Sequence, residues 1–316
     1  VTVHAPFADG SFRNRALRGR ERLHPQSGRL VASLRRQALV TPGQVWINTN
    51  HYSVPFYVVP AGQPPARVDA PMPEVERQLD GAPLPPDARP ARPAEGDAEL
   101  VLYQPATDRI WEFHRLRRVS GGWRADWGGR MDRVSSNPGY FTNAAGGLTF
   151  GASASRLSLV GGLQTIDELR GGTIDHAVDM VLPNVAQGAF VWPAQDSDQL
   201  GRAIGPDPIP EGTRFRLPAS LDVEALGLPP YTRMLARAVQ RYGAVVRDRG
   251  SIVSFKAEDP TPTGEYPYDE IFGGLQPNEK ELLARFPWDR LQVLAVPGPK
   301  REAVTSGGSF GATPRR

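Results

Sequence analysis

The chain has 316 residues, enough for one large domain with a buried core, and no apolar run approaches the about 20 residues of a membrane span. It has no cysteine, which excludes disulfides, thiol nucleophiles and cysteine metal sites. The formal net charge is +3 and only three of 37 basic residues are lysine, an arginine excess that indicates a GC-rich genome more readily than a nucleic-acid partner.

Turn-forming residues are frequent along the whole chain. The 33 glycines and 32 prolines make up about a fifth of it and favour short strands joined by loops. The chain begins at Val1 without a visible signal peptide, which is expected either of an exported protein after cleavage or of a trimmed chain.

The first 40 residues are predicted to be a basic N-terminal arm. Arginine recurs there at every second or third position (Arg13, Arg15, Arg18, Arg20 and Arg22). The arm is interpreted either as a solvated extension or as a patch for an acidic polymer. Residues 41–296 are predicted to form a single β-rich domain, and residues 297–316 a flexible tail.

The first strands are predicted at residues 44–48 and 53–59, as a pair. Residues 60–97 are dense in proline and are predicted to be an ordered crossover on the surface, without a hydrophobic core of their own.

Residues 99–127 are predicted to form a three-stranded meander with aromatic side chains. Trp111, Trp123 and Trp127 lie on its second and third strands. They are interpreted either as core residues or as a platform on which sugars stack.

The sequence predicts local structure most completely in the stretch from residue 147 to 183. It opens with small residues that allow close backbone approach, and Thr165 and Glu168 have the spacing of a helix capping box. Alternation over residues 173–182 predicts a strand with His176 on its apolar face. His176 is therefore expected to be buried, either as a satisfied core histidine or bonded to a buried carboxylate.

The best helix pattern covers residues 229–242, and a hairpin is predicted at residues 244–257 around Asp248. Strands and helices do not alternate as in a parallel α/β fold. We therefore predict a mainly β protein, an antiparallel β-sandwich or jelly-roll with a few short helices in its connections.

Familiar catalytic motifs are absent. The chain has no dinucleotide-binding or phosphate-binding glycine loop and no HExxH, and its GASAS segment lacks the final glycine of a serine nucleophile elbow. Five scattered histidines argue against a zinc site and leave a mixed histidine–aspartate site as the alternative. No metal and no other cofactor is expected.

Carboxylates are the remaining candidates for catalysis. Glycoside hydrolysis uses two carboxyl groups across the scissile bond, about 5 to 10 Å apart. Glu112, which projects from the aromatic meander, is the preferred general acid. Its partner is sought among residues at turns and strand ends, which are Asp108, Asp175, Asp248 and Glu258.

Several blocks of the sequence carry a resemblance to a known group of proteins. They include QPATDRIWEFHRL, GGWRADWGGRM, GASASRLSLVGGLQTIDELRGGTIDHAVDMVLP, RYGAVVRDRG, AEDP and FPWDRLQVL. Over residues 44–296 the chain resembles an uncharacterised family of exported or cell-surface proteins of actinobacteria and other soil bacteria, with relatives among phage minor tail proteins. The resemblance implies a secreted or surface-located β-rich protein that meets polysaccharide or cell-envelope glycan, and it assigns no catalytic residue.

Three functions are carried forward as hypotheses. The first is a secreted glycan hydrolase that uses paired carboxylates. The second is a non-catalytic glycan-binding or tail-adhesion module, with Trp111, Trp127, Tyr140 and His176 as candidate binding residues. The third is a structural surface protein that presents its basic arm to a partner. The oligomeric state is not predicted.

Overall fold

The computed structural model of the chain describes residues 6–142, 150–199, 205–278 and 280–296. Within these residues the helices are α1 Ser27–Leu39, α2 Pro73–Leu79, α3 Ile166–Gly171, α4 Pro230–Arg241, α5 Tyr268–Ile271 and α6 Lys280–Ala284. None of them has the length and apolar character that crossing a bilayer requires. The predicted tail at residues 297–316 lies outside the described residues.

Sixteen short strands account for most of the regular structure in the described residues. They are β1 Val45–Asn48, β2 Val54–Val58, β3 Val68–Asp69, β4 Leu100–Gln104, β5 Arg109–His114, β6 Arg117–Val119, β7 Gly122–Arg124, β8 Trp127–Asp132, β9 Val178–Leu182, β10 Val185–Phe190, β11 Ile209–Glu211, β12 Arg214–Arg216, β13 Ala244–Arg249, β14 Val253–Lys256, β15 Glu258–Asp259 and β16 Gln292–Val293.

Two larger sheets organise the molecule. A six-stranded sheet has the order β1-β14-β9-β13-β12-β16, and a five-stranded sheet has the order β15-β2-β4-β5-β8. Strands β3, β7 and β6 form a small third sheet, and β10 pairs with β11. Helices α1 and α4 share a hydrophobic core with the six-stranded sheet, whereas α2 shares the core of the five-stranded sheet.

The β-rich character predicted from turn frequency is confirmed, but the strands do not pair in an exclusively antiparallel way. In the six-stranded sheet β1 is parallel to β14, and β9 is parallel to β13. In the five-stranded sheet β2 is parallel to both β4 and β15. Both sheets are therefore mixed, because long connections return the chain to a neighbouring strand in the same direction.

The strongest local signals are confirmed. The helix predicted at residues 229–242 is α4, with a proline in its first turn and Leu235 and Val239 fully buried. At the start of α3 the Thr165 hydroxyl accepts from the Glu168 amide at 3.3 Å, and Glu168 accepts from the Thr165 amide at 3.1 Å. This is the capping box that the spacing predicted.

The strand predicted at residues 173–182 is shorter than expected and begins only at Val178. His176 precedes it and is 2% exposed, as predicted. Its Nε2 lies 3.2 Å from Glu168, and its Nδ1 lies 3.1 Å from the Ala177 carbonyl. Burial opposes charge on His176, but Glu168 outweighs this effect and raises the pKa of the imidazole. This is the histidine–carboxylate alternative left open by the sequence.

The N-terminal segment differs from the predicted basic arm. Arg13 is completely buried, with its NH1 2.5 Å from Asp179 Oδ1 of β9. Helix α1 buries Leu30 and Leu34 against the six-stranded sheet. The alternating arginines predicted a solvent-exposed segment. In the folded chain the buried carboxylate of Asp179 neutralises Arg13, so that this arginine can be buried.

The proline-rich crossover at residues 60–97 has, as predicted, no separate core. It contains β3 and α2, and its buried Val75, Leu79 and Leu84 belong to the cluster of the five-stranded sheet. The segment therefore packs on the five-stranded sheet and shares its hydrophobic core.

Two predicted strand pairs are wrong. Strands β1 and β2 are consecutive in the chain but belong to different sheets. Strands β13 and β14 do not form a hairpin, because β9 lies between them and pairs with both. As a consequence Asp248 lies within β13 and not in a turn.

Candidate active site

A cavity of about 260 Å³ lies where the ends of the two larger sheets meet. The five-stranded sheet contributes Glu99, His114 and Trp127, and the six-stranded sheet contributes residues at the ends of β13 and β14. A loop comprising residues 151–159, here called the GASAS loop, supplies a third side. Binding sites favour such concave junctions, where groups from several elements converge.

The wall formed by the five-stranded sheet is a row of neighbouring residues. His114 at the end of β5 pairs with Trp127 at the start of β8. Leu100 pairs with Phe113, so Glu99 lies one residue beyond, in register with His114. Sheet pairing alone thus places a carboxyl group, an imidazole and an indole side by side.

Two residues at this wall adopt left-handed backbone conformations. Ala98 has φ 39° and Arg115 has φ 53°. Their strands are joined by hydrogen bonds from the Arg115 amide to the Asp97 carbonyl at 2.7 Å and from the Leu116 amide to the Ala98 carbonyl at 3.1 Å. Such conformations cost energy in residues other than glycine and concentrate at functional sites.

The opposite wall depends on an irregularity in β13. Its register against β9 shifts between Val246 and Asp248. In a regular strand Arg247 and Asp248 would project to opposite faces, but both line the cavity. A bulge that redirects a side chain at a site accounts for this arrangement. Lys256, the last residue of β14, completes the wall.

Glu99 is the carboxyl group most strongly altered by its surroundings. Burial raises its pKa to about 8, with Asp97 and Asp248 adding to the effect and Arg247 and Lys256 opposing it. In the described part of the chain no donor is hydrogen-bonded to this carboxyl group. Glu99 is therefore largely protonated at pH 7 and has its proton available to a ligand.

Asp248 is held more firmly. Its carboxylate accepts from the Arg249 amide at 2.8 Å and from the Ala154 amide at 3.3 Å. Burial raises its pKa to about 6, while Arg247 and these two amides favour the charged form. Asp248 is mainly ionised at pH 7, so the cavity combines one protonated and one ionised carboxyl group.

Arg247 and Lys256, two of the cations that line the cavity, are held in place by groups outside its lining. Arg247 is 1% exposed, and its NH1 lies 3.6 Å from Asp179, the carboxylate that also binds Arg13. Lys256 is 5% exposed and donates from Nζ to the Tyr52 carbonyl at 2.5 Å. Burial lowers the pKa of Lys256, and the nearby Glu99 opposes this effect.

The GASAS loop is attached to one carboxylate from each sheet. Ala154 donates to Asp248, as described, whereas Ser158 Oγ and the Leu159 amide donate to Glu112 Oε1 at 2.6 and 2.8 Å. The small residues permit this close approach: a Cβ on Gly151, whose φ is 99°, would lie 2.5 Å from the Phe141 ring.

Two of the predicted site residues, Asp248 and Trp127, line the cavity. Glu112, the predicted general acid, does not line it. Glu112 is completely buried behind the GASAS loop, and burial raises its pKa to about 7 against the effect of its hydrogen bonds to Ser158 and Leu159. Its position indicates that it anchors the loop.

The other predicted carboxylates are dispersed. Asp108 caps the turn at Ser135, accepting from its amide at 2.9 Å and its hydroxyl at 2.7 Å. Asp175 is exposed beside Arg241. Glu258 accepts from the Ile166 amide at 2.9 Å, at the start of α3. None of the three lines the cavity.

The remaining predicted binding residues also lie elsewhere. Trp111 is 2% exposed within the core of the five-stranded sheet. Tyr140 stacks on Phe12 with ring centroids 6.4 Å apart, and His176 is bonded to Glu168. Of the predicted platform only Trp127 can meet a ligand in this cavity.

Sequence reasoning missed Asp97, Glu99, Arg247 and Lys256. A signal was present for the first two, which have the i, i+2 spacing of one strand face directly before β4. Lys256 is one of three lysines in an arginine-rich chain and ends a strand. Nothing local distinguishes Arg247 from the other arginines.

The described residues contain no group of three or more histidine, aspartate or glutamate side chains placed to hold a metal ion.

Replacing Glu112 with alanine is expected to lower the free energy of unfolding by about 3 to 5 kcal/mol, because it leaves two buried donors unsatisfied and opens a cavity. Glu112→Gln keeps an oxygen for Ser158 and Leu159 and is expected to cost far less. Urea denaturation of both variants measures the difference. Equal, small losses would show that the loop does not depend on this anchor.

Comparisons with known proteins give no independent assignment. No family model matches the chain, and the searches of curated proteins and of solved structures found nothing similar to it.

Proposed function

We propose that the protein hydrolyses glycosidic bonds in a polysaccharide or cell-envelope glycan, with Glu99 as general acid and Asp248 as the second carboxylate. One observation carries the proposal: two buried carboxyl groups with differently raised pKa values line one cavity together with Trp127. Glu99 takes the role predicted for Glu112 because Glu99, unlike Glu112, lines the cavity.

The chemistry follows from the two protonation states. Glu99 donates its proton to the glycosidic oxygen as the bond from that oxygen to the anomeric carbon breaks. Asp248 either attacks the anomeric carbon directly or removes a proton from the water that does so. If Asp248 attacks, water later releases it, giving one proton back to Glu99. If Asp248 acts as base, the proton that it takes from water passes through solvent to Glu99, which restores both groups. Either course consumes one water and yields two shorter glycans.

The surrounding groups support these roles. Arg247 favours the ionised form of Asp248, as a nucleophile or base requires. Trp127 stacks on Phe150 with ring centroids 6.2 Å apart and is partly exposed, so its indole is fixed in position yet open to the cavity. Aromatic rings of this kind bind the apolar faces of sugars.

A screen for released reducing ends over bacterial and plant polysaccharides tests the proposal. The wild-type chain is expected to cleave at least one polysaccharide, and Asp248→Asn to cleave none at a comparable rate. Asp175→Asn is the matched control, since Asp175 lies outside the cavity. Absence of release by the wild-type chain over the whole panel would overturn the hydrolase assignment.

The rate of cleavage is expected to show a bell-shaped dependence on pH with its maximum near pH 7. Activity falls as pH drops through about 6, where Asp248 gains a proton, and falls again above about 8, where Glu99 loses its own. Because the two groups interact, these values belong to the pair. Initial rates between pH 4.5 and 9.5 measure the profile, with circular dichroism at each pH as the check for unfolding. A rate that rises steadily through pH 9 would exclude a protonated Glu99.

A non-catalytic glycan-binding module is the second candidate. The observation that favours it is the polar lining of the cavity, where four acidic residues lie among Arg156, Arg247, Arg249 and Lys256. Such a lining can bind many hydroxyl groups without reacting. Binding of a glycan in calorimetry, without any release of reducing ends, would select this candidate.

We further propose that the protein is exported and is related to the surface proteins that its sequence blocks resemble. The support is that those blocks occur in the same order as in the family they resemble. Immunoblots of culture medium, envelope and cytosol from the producing bacterium test the location, and recovery only in the cytosol would contradict it.

A further inference from the structure

Tyr52 is an exposed aromatic residue that is fixed in place beside the cavity. Its relative exposure is 42%, and its backbone is left-handed with φ 51°. Its amide donates to the Arg92 carbonyl at 2.6 Å, and its carbonyl accepts from Lys256 Nζ at 2.5 Å. The backbone at Tyr52 is therefore bonded to a side chain that lines the cavity.

The ring of Tyr52 packs on the segment that leads to the two acidic residues Asp97 and Glu99. A Cβ built on Gly96 would lie 2.9 Å from Tyr52 Cε1, so the absence of a side chain at Gly96 makes room for the ring. The exposed part of the ring contacts solvent and adds nothing to the hydrophobic core. Packing in the core therefore does not explain the strained backbone conformation of Tyr52.

The order of the five-stranded sheet places Tyr52 and Trp127 on opposite sides of the acidic residues. Tyr52 precedes β2, Asp97 and Glu99 precede β4, and Trp127 begins β8, with β5 lying between β4 and β8. The contact of the Tyr52 ring with Gly96, the residue before Asp97, places Tyr52 beside these acidic residues. Three strand spacings, about 14 Å, separate the two aromatic residues along this edge.

We propose that the Tyr52 ring binds a sugar unit outside the cavity, so that the ligand is a glycan chain lying across Glu99 and Asp248 with units on both sides of the scissile bond. The proposal rests on the proposed glycan function. It adds that the substrate is an oligomer or polymer cleaved internally, since the aromatic contacts flank the carboxyl groups. A site that bound only the terminal sugar units of a glycan would be closed on one side of the carboxyl groups.

Calorimetric binding and hydrolysis of defined sugars test this inference. The probes are cellohexaose, xylohexaose, laminarihexaose and chitohexaose, together with their disaccharides, using Glu99→Gln for binding wherever the wild-type chain cleaves the probe. Tyr52→Ala is expected to weaken binding of the recognised hexasaccharide about tenfold and to leave the disaccharide nearly unaffected. Tyr52→Phe keeps the ring and is expected to bind as the unchanged chain does.

Val58→Ala is the matched control, because Val58 is 48% exposed and is the last residue of β2, at the end away from Tyr52. It is expected to change neither affinity. Equal hexasaccharide affinity with and without the Tyr52 ring, in folded protein, would overturn the inference and leave the proposed function intact. Failure of the wild-type chain to bind or cleave any of the four hexasaccharides would count against both.

Discussion

Replacing Glu99 with glutamine is expected to lower the rate of the proposed glycan cleavage about 10³-fold while leaving the fold intact. Glutamine keeps the shape of the side chain but has no proton to give to the leaving oxygen. Because burial holds the Glu99 carboxyl group protonated, substitution by a neutral amide removes no ion pair that the fold requires. The loss should therefore appear in kcat and not in the thermal midpoint.

Reducing-end assays on the polysaccharide that the wild-type chain cleaves give this measurement. Glu270→Gln is the matched control, since Glu270 is an exposed glutamate of α5 outside the cavity. An unchanged rate in Glu99→Gln combined with loss of activity in Glu112→Gln would return the role of general acid to Glu112, as the sequence had predicted.

Replacing Asp179 with asparagine is expected to reduce the free energy of unfolding by about 3 to 5 kcal/mol. Asp179 is completely buried and faces two buried guanidinium groups, with Arg13 NH1 at 2.5 Å and Arg247 NH1 at 3.6 Å. Removing this carboxylate leaves two buried cations without their shared counter-charge. Removing one partner of a buried ion pair lowers the free energy of unfolding far more than removing a surface ion pair does.

Urea denaturation at pH 7 measures the loss, and Asp175→Asn serves as control because Asp175 is exposed and close by in the sequence. The control is expected to match the wild-type chain within error. The double variant Asp179→Asn with Arg13→Met is expected to recover part of the lost stability, since one of the two uncompensated charges is gone. A loss below about 1 kcal/mol for Asp179→Asn would show that the two arginines are neutralised by other means.

The Asp179 cluster also connects the N-terminal segment with the cavity. Arg13 comes from the segment expected to be a solvated arm, whereas Arg247 lines the cavity beside Asp248. If Asp179 is removed, Arg247 loses its anchor behind the cavity wall. We therefore expect Asp179→Asn to impair cleavage even at temperatures where the variant stays folded.

The sequence by itself determined the features that depend on neighbours a few residues apart. Helix α4 follows from its apolar spacing and its proline start, and the capping box follows from the spacing of Thr165 and Glu168. In each case the deciding interaction lies within about one helical turn or one strand.

Only the tertiary structure decided which strands are neighbours. The pairing of the strands in turn decided which residues form the site. Insertion of β9 between β13 and β14 placed Asp248 inside a strand, and the meeting of two sheet edges brought it to Glu99, about 150 residues earlier in the chain. Local preference cannot specify such pairings, because the entropy of closing a loop changes only slowly with its length and many partners are nearly equivalent before the core packs. The protonation of Glu99 likewise arises from burial, which no spacing of residues encodes.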